Sequence, residues 1–300
     1  MTVIDSPEPG LTLPPVDDAD MPVPRRIRIR LGVLIGLGLY IVAAVAGMAI
    51  LLVPSLNHLL TDQDFSRPFL PPLSSGHLLG TDQLGRDLGY RVLSGLAVSV
   101  CVGLGCAALS ISLGMVGGIV GGFFGRTAAF ATLVSIDVTW AFPELLLAVV
   151  LVGWLGPGLL TVVVALSVTG WAAFAKIVRA EVLSVRERDF VSAARVLGKS
   201  RARISTSHFV RALQPLAIVM GVFYVSTAII AESGLSFIGL GAQPPTPSLG
   251  IILSEGRNYL SITVWPVLLA GATLTGLVLL MHAFADQLRD ALDPRGEGSR

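Results

Sequence analysis

Residues 31–53 read LGVLIGLGLYIVAAVAGMAILLV, 23 positions without a charge, directly after Arg25, Arg26, Arg28 and Arg30. At about 1.5 Å per residue a helix over this run is about 35 Å long, enough to cross a hydrocarbon core of about 30 Å with some tilt. A secretory signal has a similar basic start, but its apolar stretch is only about 7–15 residues long and ends in a small-residue cleavage site. The run is therefore expected to be a retained first span. Ahead of it, residues 1–24 hold six prolines, five acidic residues and no basic one. That composition cannot bury enough apolar surface to fold, and residues 1–30 are expected to form a disordered tail with a basic juxtamembrane end.

The remainder of the chain has the same character. Of 300 residues 53% are hydrophobic and 14% charged, with a mean hydropathy of +0.77. A soluble domain carries about 25% charged residues because its surface must be solvated, and disorder needs low hydrophobicity with high charge. Both classes are excluded, leaving an all-α integral membrane protein. Uncharged gaps at Ser94–Gly122, Ala212–Ala231 and Asn258–Ala285 supply three more spans. Between Arg126 and Lys176 the only charges are Asp137 and Glu144, and Gly156-Pro157-Gly158 divides that stretch into two. Six spans result, with a loop at 54–93, a five-span core at 94–286 that includes an insertion at 176–211, and a tail at 287–300.

An even number of spans puts both termini on one side. That side carries 17 of the 21 basic residues, nine of them in the insertion, whereas the other carries only Arg67, Arg86, Arg91 and Arg257. The excess of Lys and Arg on cytoplasmic loops then orients the chain in the cell membrane with both termini and the insertion inside. A net charge of +1 creates no field that would gather nucleic acid. Cys101 and Cys106 lie on different faces of one apolar segment, and the four histidines match no ligand spacing. Neither a disulfide framework, a metal site, a cofactor nor a catalytic constellation is expected. Glycines four apart (Gly32/Gly36, Gly114/Gly118, Gly117/Gly121, Gly118/Gly122) allow close helix approach, either within the bundle or to a partner helix.

The insertion contains Ala193-Ala194-Arg195-Val196-Leu197-Gly198-Lys199-Ser200, which imitates a phosphate-binding loop. That loop needs glycine where Ala193 stands, and it follows a strand, whereas these surroundings read as helix. Phe190, Ala193, Ala194 and Leu197 instead fall on one face of a helix, with most of the basic residues off it. Periodicity alone leaves two uses open, docking to another protein and lying on the anionic membrane surface.

The run Asp189–Gly198 resembles the cytoplasmic "EAA" loop of ATP-binding-cassette importer permeases. Neighbouring stretches are similar to the dipeptide, oligopeptide and nickel branch of that family: His77–Asp87 (HLLGTDQLGRD), Glu232–Gly241 (ESGLSFIGLG), Gln243–Ser248, Ser254–Arg257 and Leu288–Arg295. Ser192 stands where the family's glutamate would be, and Val210-Arg211 where Leu-Pro closes the loop. The resemblance implies that Phe190, Ala193, Ala194, Arg195, Leu197 and Gly198 form a coupling helix on a partner ATPase. It also implies a second permease, as a heterodimer, two ATP-binding-cassette ATPases and an extracytoplasmic substrate-binding protein. ATP hydrolysis would belong to the partners, so the chain itself is expected not to be an enzyme. Short peptides are the implied cargo, with nickel chelates or another small solute as the alternative.

Charges within spans default to functional hypotheses. Asp137 and Glu144 are seven apart and are expected on one face of the third span, lining the translocation path. The competing reading is helix packing, with Glu144 satisfied by a neighbouring hydroxyl or amide. Glu232 and Asp286 fall near span ends, within reach of water or headgroups. Gly80–Asp87 reads as a loop in which Thr81 or Asp82 caps a short helix. Its outward placement makes Asp82, Arg86 and Asp87 candidate contacts for the binding protein. An ion-coupled secondary transporter would require inverted repeats with broken helices, and no internal repeat is found.

Overall fold

A backbone inside lipid must satisfy its own hydrogen bonds, and the long apolar runs do so as helices. The computed structural model describes residues 30–74, 76–187, 196, 198, 200, 203 and 209–292. Its helices are α1 (Leu31–Leu52), α2 (His58–Thr61), α3 (Leu88–Phe123), α4 (Arg126–Trp140), α5 (Glu144–Leu155), α6 (Leu159–Val185), α7 (Val210–Phe237), α8 (Leu249–Arg257) and α9 (Trp265–Leu292). Among the described residues the only β-pairing is two isolated bridges, Ser74 with His77 and Thr81 with Asp87.

Helices α1, α3, α6, α7 and α9 are each long and apolar enough to cross a membrane. Helices α4 and α5 meet that requirement only as a pair, bent by 86°. Counting the pair as one span gives the six expected, but the third is not a single rod. Pro143 stands before the first residue of α5. It has no N–H to donate, and its ring drives Phe142 out of the helical region. Asp137 therefore ends in the last turn of α4 while Glu144 opens α5, and the expectation that they share one helix face is wrong.

Other boundaries also move. The second span starts at Leu88 rather than Ser94, so Arg91 is helical and not part of the loop. The fifth runs on to Phe237, which places Glu232 well inside it. The last begins at Trp265, after the separate short helix α8, and reaches Leu292 in what reads as tail.

Helix α3 is the axis of the bundle and packs most extensively on α6, with α1 and α7 on its other sides. Gly114, Gly118 and Gly122 of α3 face Phe174, Val178 and Val182 of α6, and a Cβ on any of them would come closer than 3.0 Å to its neighbour. The equal four-residue steps on both helices keep the two rows in register. Gly117 and Gly121 turn instead to Trp171 and Thr132. Four-residue glycine spacing thus serves contacts inside the bundle, although Gly32 faces open space. Helix α1 is peripheral, with only Gly47 and Ile50 buried. The Arg30 amide donates to Gln287 Oε1 (2.5 Å), so α1 begins at the end of the bundle where α9 finishes.

Candidate functional site

At the end of the bundle where α3 starts, Asp82 is 2% exposed and occupies the centre of a charged clasp. Its Oδ1 accepts from the amides of Leu84 (2.8 Å) and Arg86 (3.0 Å). Its Oδ2 accepts from Arg86 Nε (2.7 Å) and from Arg91 Nη1. Glu255 on α8 completes the set, its Oε2 accepting from Arg91 Nη2 (2.9 Å), Arg86 Nη2 (3.3 Å) and Gln83 Nε2 (3.2 Å). Two carboxylates face two guanidiniums, so the charges of the clasp cancel within it.

The rest of the loop is fastened around that clasp. The Thr81 hydroxyl donates to the Arg67 carbonyl (2.7 Å) and accepts from the Leu70 amide (2.9 Å). Phe69 packs its ring against Tyr259, with centroids 5.0 Å apart. The Ser66 hydroxyl and amide both donate to Asp64 and hold its carboxyl below the usual carboxylate range. Capping falls to a different residue from the one expected: Asp87, not Thr81 or Asp82, accepts from the amides of Gly89 and Tyr90 at the start of α3. Asp82 cannot cap because its oxygens are taken up by the turn and the arginines. Asp87 also pairs with His77 Nδ1 at 2.7 Å.

Of the three candidate outer residues, the structure joins Asp82 to Arg86 and sends Asp87 to the helix cap. Arg91 and Glu255 were missed. An arginine four residues into a long apolar helix and the lone acid of Ser254-Glu255-Gly256-Arg257 were the available signals.

Glu232 differs from expectation more sharply. It is 0% exposed and enclosed by the bundle rather than open at a span end. Ser99 of α3 donates to it at 2.8 Å, Ser236 at 2.6 Å and Ser233 at 3.4 Å. Ser236 in turn accepts from the Ala242 amide at 3.2 Å. This serine cage fastens α3, α7 and the segment leading to α8. Glu232→Gln retains an acceptor and is expected to melt within about 1 kcal/mol of the parent. Glu232→Leu strands buried hydroxyls at about 1–3 kcal/mol each. Thermal unfolding in detergent distinguishes the two, and equal melting of both variants would refute the cage.

Asp137 and Glu144 flank the 86° bend, both exposed, and neither joins an ion pair among the described residues. The Tyr224 hydroxyl of α7 donates to the Leu166 carbonyl at 2.8 Å and lies 3.4 Å from Glu144 Oε1. A neighbouring hydroxyl thus does approach Glu144, as the packing reading required. Lys176 sits over the Trp140 ring, 4.3 Å from its centroid.

At the opposite end of the bundle the insertion leaves α6 and returns into α7. Phe190, Ala193, Ala194, Arg195 and Leu197 lie outside the described residues, as does Lys199. Gly198 is described: its φ is +75°, and a Cβ there would meet nothing within 4 Å. Both flanks of the insertion meet the end of α3. Arg186 Nη1 donates to the Gly122 carbonyl at 3.4 Å, and the buried Phe209 stacks edge-on against Phe123 at 4.7 Å.

A bundle of long apolar helices around α3 and α6, clasped by charge at one end and bearing a basic insertion at the other, defines a multi-pass helical membrane protein. Residues 110–296 match the family described as "Binding-protein-dependent transport system inner membrane component", and the chain belongs to that family. It is 39% identical over 274 residues, 90% of each chain, to the "Putative peptide transport system permease protein" of Brucella suis. It is 38% identical to the di/tripeptide transport system permease protein of Pseudomonas aeruginosa, over 73% of this chain and 72% of that one. Identity to the nickel transport system permease protein of Escherichia coli is 34%, over 73% of this chain and 79% of that one. The chain is thus an inner membrane permease of an ATP-binding-cassette transport system. Members of this family are transport permeases, not enzymes. Nothing in these similarities supports the ion-coupled alternative.

Proposed function

We propose that the chain forms half of a pathway for short peptides, together with a second, non-identical permease. Two ATPase subunits drive it, and an extracytoplasmic binding protein delivers the cargo. The observation that carries this reading is the likeness to permeases named for peptide and di/tripeptide transport, over 90% of both chains for the first and 73% of this chain for the second. In the mechanism, ATP closes the ATPases and the helix containing Phe190, Ala193, Ala194, Arg195, Leu197 and Gly198 moves with them. The cavity then opens outward to receive cargo, and hydrolysis restores the inward-facing state. Asp137 and Glu144 border that path, because exposed carboxylates at a break between spans are tolerated where water or cargo reaches them. Asp82, Arg86 and Asp87 serve delivery by shaping the loop offered to the binding protein, since Asp82 itself is enclosed.

Cells lacking this subunit are expected to resist a toxic di- or tripeptide analogue and to stop using short peptides. Normal peptide uptake with lost nickel uptake would transfer the chain to the nickel branch. Both termini are assigned to the cytoplasm on the distribution of basic residues. Single cysteines near positions 200 and 290 should resist an impermeant thiol reagent in intact cells, while those near 70 and 245 should react. Labelling at 200 from outside would overturn this orientation.

A further inference from the structure

A crevice of about 410 Å³ lies between α1 and the faces of α3, α7 and α9. Its walls include Tyr40 and Ala44 of α1, Cys101 and Leu104 of α3, Ile229 of α7 and Met281 of α9. The size is that of a ligand site, which is typically about 300–1,000 Å³. Helix α1 closes against the bundle on either side of it. Gly47 meets the Leu93 carbonyl, Gly36 meets the Leu280 side chain, and the Arg30 amide reaches Gln287. The space between is left unfilled by protein.

A peptide does not fit this crevice. The lining is apolar, and the Tyr40 hydroxyl is turned away to donate to the Thr273 carbonyl at 3.2 Å. Charged peptide ends buried there would find no hydrogen-bonding partner. An apolar chain does fit, because it restores the dispersion contacts that an empty space forfeits. An apolar cavity of only about 150 Å³ already takes up benzene.

Charge selects the kind of apolar chain. Helix α1 is preceded in sequence by Arg25, Arg26, Arg28 and Arg30, and Arg289 lies in the last turn of α9. Neither Arg30 nor Arg289 is in an ion pair among the described residues, although Asp286 and Asp290 stand on the same stretch of α9 as Arg289. From Arg30 to Leu37, where the crevice begins on α1, is about 10 Å along the helix. We propose that the crevice seats an acyl chain of a membrane phospholipid whose phosphate meets Arg30 at the start of α1. The lipid fills the gap between α1 and the bundle, so α1 is held on by a third component as well as by its own contacts.

The test uses the intact transporter in nanodiscs containing phosphatidylglycerol or phosphatidylethanolamine with a diazirine on one acyl chain. After irradiation, adducts mapped by mass spectrometry should be about tenfold denser on the lining residues Tyr40, Ala44, Val100 and Cys101 than at the outward-facing Leu34 and Leu39. Cys101→Trp and Ala44→Phe, which fill the crevice, should each lower the crevice adducts about tenfold and leave the outward ones unchanged. Denser labelling with phosphatidylglycerol supports the arginine contact. Equal labelling by both headgroups also supports the proposal, because both carry the phosphate, provided that Arg30→Ala lowers the labelling by either lipid; labelling that Arg30→Ala leaves unchanged overturns the arginine contact. Adducts no denser in the crevice than on the outer face overturn the proposal. So does labelling that neither variant changes, or a crosslink from the crevice to another protein chain.

Discussion

Asp82→Ala is expected to destabilise the protein by about 3–5 kcal/mol, the effect of removing one partner from a buried ion pair. Arg91, 4% exposed, loses one of its two carboxylates and becomes a buried, half-neutralised cation. The Leu84 and Arg86 amides lose their acceptor as well. Asp82→Asn separates the two contributions, because it retains an oxygen for the amides and deletes the charge. It should fall between Ala and the parent. The loss should be local to the loop, α3 and α8. Limited proteolysis within residues 62–80 should therefore accelerate in both variants, alongside a lowered melting temperature in detergent. Unchanged melting and cleavage in Asp82→Ala would show that the clasp contributes nothing.

Ala194→Glu is expected to abolish transport while leaving membrane insertion intact. If residues 190–198 seat in a groove on an ATPase, the new carboxylate is buried there without a partner. That costs several kcal/mol, enough to lower ATPase occupancy a hundredfold or more, since each 1.4 kcal/mol or so is a factor of ten. Insertion should be spared because the insertion lies outside the spans. The positive φ of Gly198 changes how its variants must be read. A Cβ there meets nothing within 4 Å, but any side chain takes on about 1–2 kcal/mol of backbone strain. Gly198→Trp therefore needs Gly198→Ala as its reference, and only the difference between them reports on bulk in the groove. Copurification of the ATPases and transport of loaded cargo are the measurements. Retained transport in Ala194→Glu would refute the coupling assignment. Lost nucleotide binding by the isolated chain in Lys199→Ala would refute it independently, in favour of the phosphate-loop reading.

What the sequence disclosed depended on the range of the physics involved. Spans are set by composition summed over about twenty residues, so α1, α3, α6, α7 and α9 were legible to within several positions. The α4–α5 bend was not, because an apolar stretch reads alike whether straight or folded, and a single Pro143 does not by itself set an angle of 86°. Pairings between distant segments were equally hidden. Asp82 and Glu255 lie far apart in the chain, and nothing local announces that Arg91 bridges them. Glu232 misled for the same reason: its position near an apparent span end suggested water, whereas serines from two helices enclose it. The segment 189–198 carried the resemblance to the family's cytoplasmic loop, whereas its periodicity alone left docking and binding to the membrane surface both open.

The register between Gly114, Gly118 and Gly122 on α3 and Phe174, Val178 and Val182 on α6 has a mechanical consequence. Two smooth helices could slide past one another, but here each glycine notch receives a side chain, and any slip short of a full turn, about 5.4 Å, drives that side chain into backbone. The pair therefore behaves as one stiff pushrod rather than two independent members. At one end Arg186 and Phe209 hold the flanks of the insertion to α3, and at the other end of α3 Arg91 joins the clasp. A displacement applied where the insertion joins α3 should therefore move α3 and α6 together rather than one against the other.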